Sequence, residues 1–318
     1  MAAALLASTL VAAILAPHAL PLERARPLTA AAVWLAALTL RALVAIGGAI
    51  FVFRYLPETE AVRAIGDWCW HELLPIIAEA LGFSAHPVSH AAVALPALAI
   101  TASLLWLFLG LARAWLALRS KLKRAIGEGP LGSLVVSDER VVVAVTRLGR
   151  GRIVVSDRAL AEMDDAELQA SLSHELGHIR RRHRPLLLLA SLLVALGRAL
   201  PGTKSVESRL IFSLERDADE FAVARTHDPI ALASAICKAA GAPTSPLLSA
   251  LGGGSVSLRL GYLLDGVEAG SARFERAAKT LAVLLASLAF AVAAGLPGWT
   301  LASPTSPSAD SEICHHLS

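Results

Sequence analysis

Charge is what this chain has least of. Asp, Glu, Lys and Arg make up 17% of its 318 residues, against 55% hydrophobic residues and a mean hydropathy of +0.60. So little charge does not coat an ordinary soluble domain, and the composition reads as an integral membrane protein. The net charge of +3 is too slight to recruit a nucleic acid. Lysine is the scarcer base, with 5 Lys to 24 Arg in an Ala- and Leu-rich chain, a usage typical of GC-rich bacterial genomes. Internal repeats are missing, and so is a basic stretch ahead of the first apolar run. That second absence favours an uncleaved span with its N-terminus outside over a cleaved leader, because the basic residues Arg24 and Arg26 come after the run instead.

Four apolar runs are long enough to cross a bilayer. They cover about 2–20, 29–53, 91–118 and 277–297. The basic cluster Arg119, Lys121, Lys123 and Arg124 after the third run places the residues downstream of it in the cytoplasm, and the acidic loop 57–90 outside. Four crossings put both termini outside. The expected organisation is a membrane unit over 1–118, a cytoplasmic domain over 119–276, a fourth span over 277–297 and a short outer tail over 298–318. Arg41, inside the second run, requires a partner or a wet seam within the bundle. Cys69 and Cys314 share the outer side, where a disulfide is allowed, and Cys237 reads as a small core residue in the reducing cytoplasm. Trp68 and Trp70 suit a membrane interface, and His71-Glu72 is cut short as a metal motif by Pro75.

Within the cytoplasmic stretch, Leu134 to Val136, Val141 to Thr146 and Ile153 to Val155 are short β-branched runs that predict a small sheet. Val141 to Thr146 is the candidate edge, either to pair with a substrate backbone or as a purely structural strand. Then comes Ser173-His174-Glu175-Leu176-Gly177-His178, an H-E-x-x-H motif. Asp164 and Glu167 form a capping box ahead of it, and Leu168, Leu172 and Leu176 share a face, so the motif lies on a helix. On a helix, His174 and His178 stack one turn apart and reach one Zn2+ ion. Glu175 stands beside that ion as the base that takes a proton from the attacking water and passes it to the leaving amine.

Such a site needs a third ligand and an open position. Glu215 is the better candidate, with Asp219 one turn later on the same face to hold the free N–H of a ligand histidine. His183 is the alternative, but in a run with Arg180, Arg181, Arg182 and Arg184 it reads as solvated. Arg259 and His227 are candidates to stabilise the oxyanion, with Tyr262 a weaker third. Pro185 to Leu200 is apolar enough to span, yet one crossing between His178 and Glu215 would split the ligands across the membrane. It therefore reads as a core or membrane-apposed helix.

HELGH followed by Glu215-Arg216-Asp217-Ala218-Asp219 resembles the membrane-bound zinc metallopeptidases, both HtpX-like enzymes and the BlaR/MecR-type peptidases. The resemblance covers Leu134 to Leu264, including Gly151 to Ser156 and Asp228 to Ala233. The chain lacks a penicillin-binding sensor with Ser-x-x-Lys after its last span, and only about thirty-six residues separate His178 from Glu215, where HtpX-like enzymes insert a membrane hairpin. The BlaR/MecR-type layout without its sensor fits better. The resemblance implies an α+β integral membrane protein of about four transmembrane helices with a cytoplasmic gluzincin-like domain in a bacterial inner membrane. It implies a zinc endopeptidase acting on a protein substrate, either a transcriptional repressor in a pathway with a separate sensor, or membrane protein under quality control. A non-catalytic signalling scaffold that retains the zinc site is the reading from another class.

Overall fold

The structure is a computed structural model that describes residues 2–54, 88–123, 125–139, 141–145, 153–241, 256–265 and 270–301. The second apolar run forms the helix on which the others assemble, α2 (Pro27–Arg54), opened by a proline whose missing N–H costs a first turn nothing. Its small and branched residues Ala30, Val33, Ala37, Leu38 and Leu40 are all buried, together with Trp34. Against them pack α6 (His183–Gly197), α7 (Thr203–Thr226) and α10 (Ala272–Leu301), and one hydrophobic cluster runs through all four. The helix expected to span the membrane and the helix carrying Glu215 therefore share a core. The apolar faces of α6 and α7 are buried on α2.

α2 and α10 run parallel. At their starts Glu275 accepts from the backbone N–H of Arg26 (3.1 Å) and from Thr29 Oγ1, and the Gly270 N–H donates to the carbonyl of Arg24 (2.9 Å). Among the described residues, three helices are long and apolar enough to cross a membrane, over Pro27–Phe51, Leu98–Ala117 and Ala272–Pro297. The second of these lies in α3 (Val88–Lys123). The first apolar run is the exception to the expected four. Its helix α1 (Ala2–Leu15) ends ahead of Pro17. At about 1.5 Å per residue it rises about 21 Å, and the 3-10 turn Ala16–Ala19 that follows adds about 8 Å, so the run approaches but does not exceed a hydrocarbon core of about 30 Å.

Arg41 is 2% exposed, yet it has partners. Its Nη1 donates to the carbonyl of Pro201 at 2.6 Å, in the turn between α6 and α7, and its Nη2 lies 3.5 Å from the carbonyl of Ile14 at the end of α1. The Ile14 carbonyl, at a helix end, lacks an intrahelical donor and that of Pro201 lies in a turn, so one guanidinium halfway along α2 serves both. The α6–α7 hairpin thus reaches from the metal-site end to the middle of α2. α6 buries Ala190 and Leu193 and leaves Leu188, Leu189 and Leu192 partly exposed.

The sheet has four strands, β1 (Ala125–Glu128), β2 (Leu134–Val136), β3 (Val143–Val145) and β4 (Ile153–Ser156), in the order β1-β2-β4-β3. β2 and β4 are parallel, and the outer strands pair antiparallel. β3 is thus an edge, as expected, and β1 is a strand that the polar, Gly-containing sequence did not announce. After the short α4 (Asp157–Glu162) comes α5 (Asp165–Arg180), and Val141, Ile153, Val155 and Leu172 bury together between sheet and helix. α8 (Pro229–Gly241) packs on α5, where Ser234 and Lys238 donate to Glu167; a last short helix, α9 (256–264), precedes α10. Cys237 on α8 is exposed rather than a core residue, because its helix turns the opposite face to α5. Nearly all of the 57–90 loop with Trp68, Trp70 and His71, the Gly252-Gly253-Gly254 stretch, Cys69, Cys314 and the tail beyond 301 lie outside the described residues.

Candidate metal centre

α5 begins with the expected capping box. Asp164 accepts from the Glu167 N–H at 2.8 Å and Glu167 accepts from the Asp164 N–H at 2.9 Å, which fixes the helix start and so the rotation of the motif. His174 and His178 are both buried, ring centroids 4.8 Å apart, with their Nε2 atoms 3.1 Å from each other. α7 crosses α5 at Gly177, where a Cβ would lie 3.3 Å from the Cα of Ala218 and 3.2 Å from Phe221 Cδ1. That approach brings Glu215 over the histidines, Oε2 3.4 Å from His174 Nε2 and Oε1 3.5 Å from His178 Nε2. Four donors at about 2.0–2.2 Å from a zinc ion stand about 3.3–3.6 Å apart. The two contacts to Glu215 end on different carboxylate oxygens; with one donor atom from each residue, His174, His178 and Glu215 lie within 4.8 Å of one another, loose for that tetrahedron but close enough to converge on one ion, and two imidazoles and a carboxylate are the donors of a catalytic zinc site.

The surroundings orient these ligands. Asp219 Oδ1 lies 2.8 Å from His174 Nδ1, an oblique contact in which the ring N–H is not aimed straight at the oxygen. Arg259, from α9, grips Asp219 with Nε and Nη2 at 2.8 and 2.7 Å and places Nη1 3.0 Å from Glu215 Oε2. Its fork thus meets both carboxylates that α7 brings to the site. Burial works against protonation of His174, but the bonds to Asp219 and Glu215 outweigh it and push the pKa up to about 10. Burial, then the His174 charge, lower His178 to about 4. Glu215 and Asp219 are held well below the usual carboxylate range against the effect of burial, by His174 and Arg259 together. A dication replacing the His174 proton would leave the metal and Arg259 matched against Glu175, Glu215 and Asp219. The residues present fit the ion in geometry, donor type and charge.

His183 departs from expectation. It is 0% exposed and lies behind the second ligand, Nδ1 2.9 Å from His178 Nδ1 and Nε2 2.9 Å from Asp217 Oδ2. Arg181 completes the chain by donating to Asp217 Oδ1. The cause is local. Arg182 adopts the left-handed conformation (φ 56°, ψ 38°) between α5 and α6. That is a strained choice for a non-glycine residue, and the turn it makes swings His183 back under His178. Asp217, between Glu215 and Asp219, carries no sequence signal of its own for this role. His227 is not brought to the site, being exposed at the end of α7, twelve residues beyond Glu215. Twelve residues of helix rise about 18 Å. Tyr262 lies on α9 with the ring of Phe212 5.7 Å away and the Arg216 guanidinium over it at 4.3 Å. Glu175 is half-buried at the site and its charge reaches Arg259.

This helical fold with a small sheet and a His-His-Glu centre is the arrangement of a metallopeptidase. The model of Peptidase family M48 matches residues 128–214, from the end of β1 through the HELGH helix to the residue before Glu215. The match supports a zinc metallopeptidase of the M48 type, and it ends before Glu215, Asp219 and Arg259. No curated protein and no solved structure matches the chain.

Proposed function

We propose that this chain is a membrane-embedded zinc endopeptidase that cleaves protein substrates at the cytoplasmic face of a bacterial inner membrane. The observation that carries the reading is the convergence of His174 Nε2, His178 Nε2 and the Glu215 carboxylate beside Glu175. Bound by those three residues, zinc supplies Lewis-acid polarisation of the scissile carbonyl and acidifies a water. Glu175 accepts the proton of the attacking water and delivers it to the leaving amine. Asp219 and Arg259 hold His174 and Glu215 in place, Asp217 and His183 hold His178, and the edge strand β3 presents free backbone groups to an extended substrate.

The membrane reading is supported by apolar faces that nothing covers among the described residues. Trp106 and Phe108 on α3 are 67% and 62% exposed, and Phe290 on α10 is 76% exposed. The side is supported by charge, since Arg24, Arg26, Arg273 and Arg276 cluster where α2 and α10 begin. α7 is tied to that end by Arg216 Nη1, which donates to the Glu23 carbonyl at 2.8 Å. Three crossings then keep the N-terminus on the side of the metal centre and carry the chain after α10 across, in place of two outer termini. A centre packed against apolar helices favours substrates presented at the membrane surface, whether a tethered repressor answering to a separate sensor or a membrane protein under quality control. Comparative proteomics of a Glu175→Gln strain tests this. Membrane or repressor fragments present in the wild type should vanish in the variant; an unchanged proteome and phenotype would favour a non-catalytic scaffold.

A further inference from the structure

Along α7 lies a pocket of about 890 Å³. That size suits a small-molecule site. Its walls include Arg24, Arg26, Arg216, Arg276, Lys279 and Tyr262. The acidic residues in the wall are largely engaged. Asp219 is clamped by Arg259, and Glu275 accepts from Thr29 and the Arg26 N–H with Lys279 at 3.7 Å. Glu220 is the remaining acidic residue of the wall; burial raises its pKa, while the charges of Arg216, Arg181 and Arg26 lower it. Arg216 is fixed between the Glu23 carbonyl and the Tyr262 ring. Arg24, Arg26 and Arg276 are different: among the described residues no carboxylate lies within ion-pairing distance of any of them, although Arg276 Nε donates to the Ala272 carbonyl at 3.3 Å. The parallel α2 and α10 both begin here, so their positive ends add to the same field.

The geometry points to this pocket as a site for the phosphate headgroup of an anionic phospholipid. A phosphate among Arg24, Arg26 and Arg276 would sit where two apolar helices start, and its acyl chains would run along Leu28, Val283 and Leu284, which are 48%, 64% and 61% exposed. A soluble phosphate would leave that apolar surface unused. The pocket shares Asp219 with the metal centre, so headgroup occupancy would steady the helix that carries Glu215. The proposal rests on the membrane reading above.

The test uses the full-length zinc-loaded protein in phosphatidylcholine nanodiscs, measuring uptake of phosphatidylglycerol from donor vesicles by native mass spectrometry. Each basic residue near a surface contributes about a tenfold preference for anionic lipid at most. The Arg24→Gln/Arg26→Gln/Arg276→Gln variant should therefore lose the preference by about 10- to 100-fold, while Arg225→Gln/Arg273→Gln, which removes two exposed charges outside the pocket, should keep it. Zinc content reports folding, and Arg276→Gln alone serves if the triple variant does not fold. Equal preference in the pocket and control variants would overturn the proposal, as would inorganic phosphate binding as tightly as the lipid. Alkaline carbonate extraction separates the two readings. A wild-type chain washed off the membrane overturns the membrane reading and this site with it, whereas a retained chain with preference indifferent to the pocket arginines overturns the site alone.

Discussion

Replacing Gly177 with alanine sets two effects of known sign against each other. Inside a helix, alanine is favoured over glycine by about 1 kcal/mol, so an isolated α5 would gain stability. Here the new Cβ would meet the Cα of Ala218 at 3.3 Å and Phe221 Cδ1 at 3.2 Å. The phenyl ring can swing, but a helix backbone cannot, so α7 must retreat by a few tenths of an ångström. Overpacking of this kind costs about 1–3 kcal/mol, which cancels or exceeds the propensity gain. The retreat also matters chemically, because Glu215 lies one turn before Ala218 and metal–ligand distances tolerate only about 0.2 Å. Gly177→Ala should therefore change the melting temperature of the metal-free protein little while weakening zinc affinity by about 10-fold or more, measured by competition with a chromogenic chelator. An alanine variant that binds zinc as tightly as the wild type would refute the argument that this glycine sets the reach of the third ligand.

Other outcomes concern the residues around the centre. His183→Ala should leave His178 Nδ1 and Asp217 Oδ2 without the partner they now meet in a buried site, while Arg181 still holds Asp217 Oδ1. The cost is about 1–3 kcal/mol for each unpaired group and about 10- to 100-fold in zinc affinity; chemical denaturation and chelator competition measure the two separately. Zinc uptake near pH 7 should release about one proton, since His174 is protonated below about 10 and His178 is already neutral above about 4. As pH rises towards 10 the proton competes less for His174, so apparent affinity should climb about tenfold per pH unit. Calorimetry in buffers of different ionisation enthalpy reads the proton count, and a count of zero would contradict the charge state given for His174. Asp219→Ala should lower affinity or activity about 10- to 100-fold without abolishing zinc binding, as metal content will show.

The candidate cluster was legible because chemistry and helical period agree there. His174, His178, the Asp164–Glu167 box and the four-residue step from Glu215 to Asp219 each follow from spacing on a helix, and the β-branched runs marked three of the four strands. His183 and Asp217 were hidden for a physical reason. Their pairing depends on a left-handed Arg182, a conformation that arginine does not advertise, within a run of arginines that reads as solvated. β1 has no β-branched pattern beyond Ile126 to reveal it. The shared core was hidden too, because an apolar helix looks the same in sequence whether lipid or another helix covers it. Only the packing distinguishes Leu38, which is buried, from Leu105, which is 58% exposed.

The central claim is that His174, His178 and Glu215 hold a metal while Glu175 does the proton transfer, and zinc content measured beside cleavage of a casein-like substrate tests it most directly. Glu175→Gln keeps the size and the helix but removes the base, so it should retain about one zinc per chain while hydrolysis falls by about 10²-fold or more. Glu215→Ala should lose zinc and activity together. A Glu215→Ala protein that keeps its zinc, or a Glu175→Gln protein that cleaves at the wild-type rate, would contradict the account.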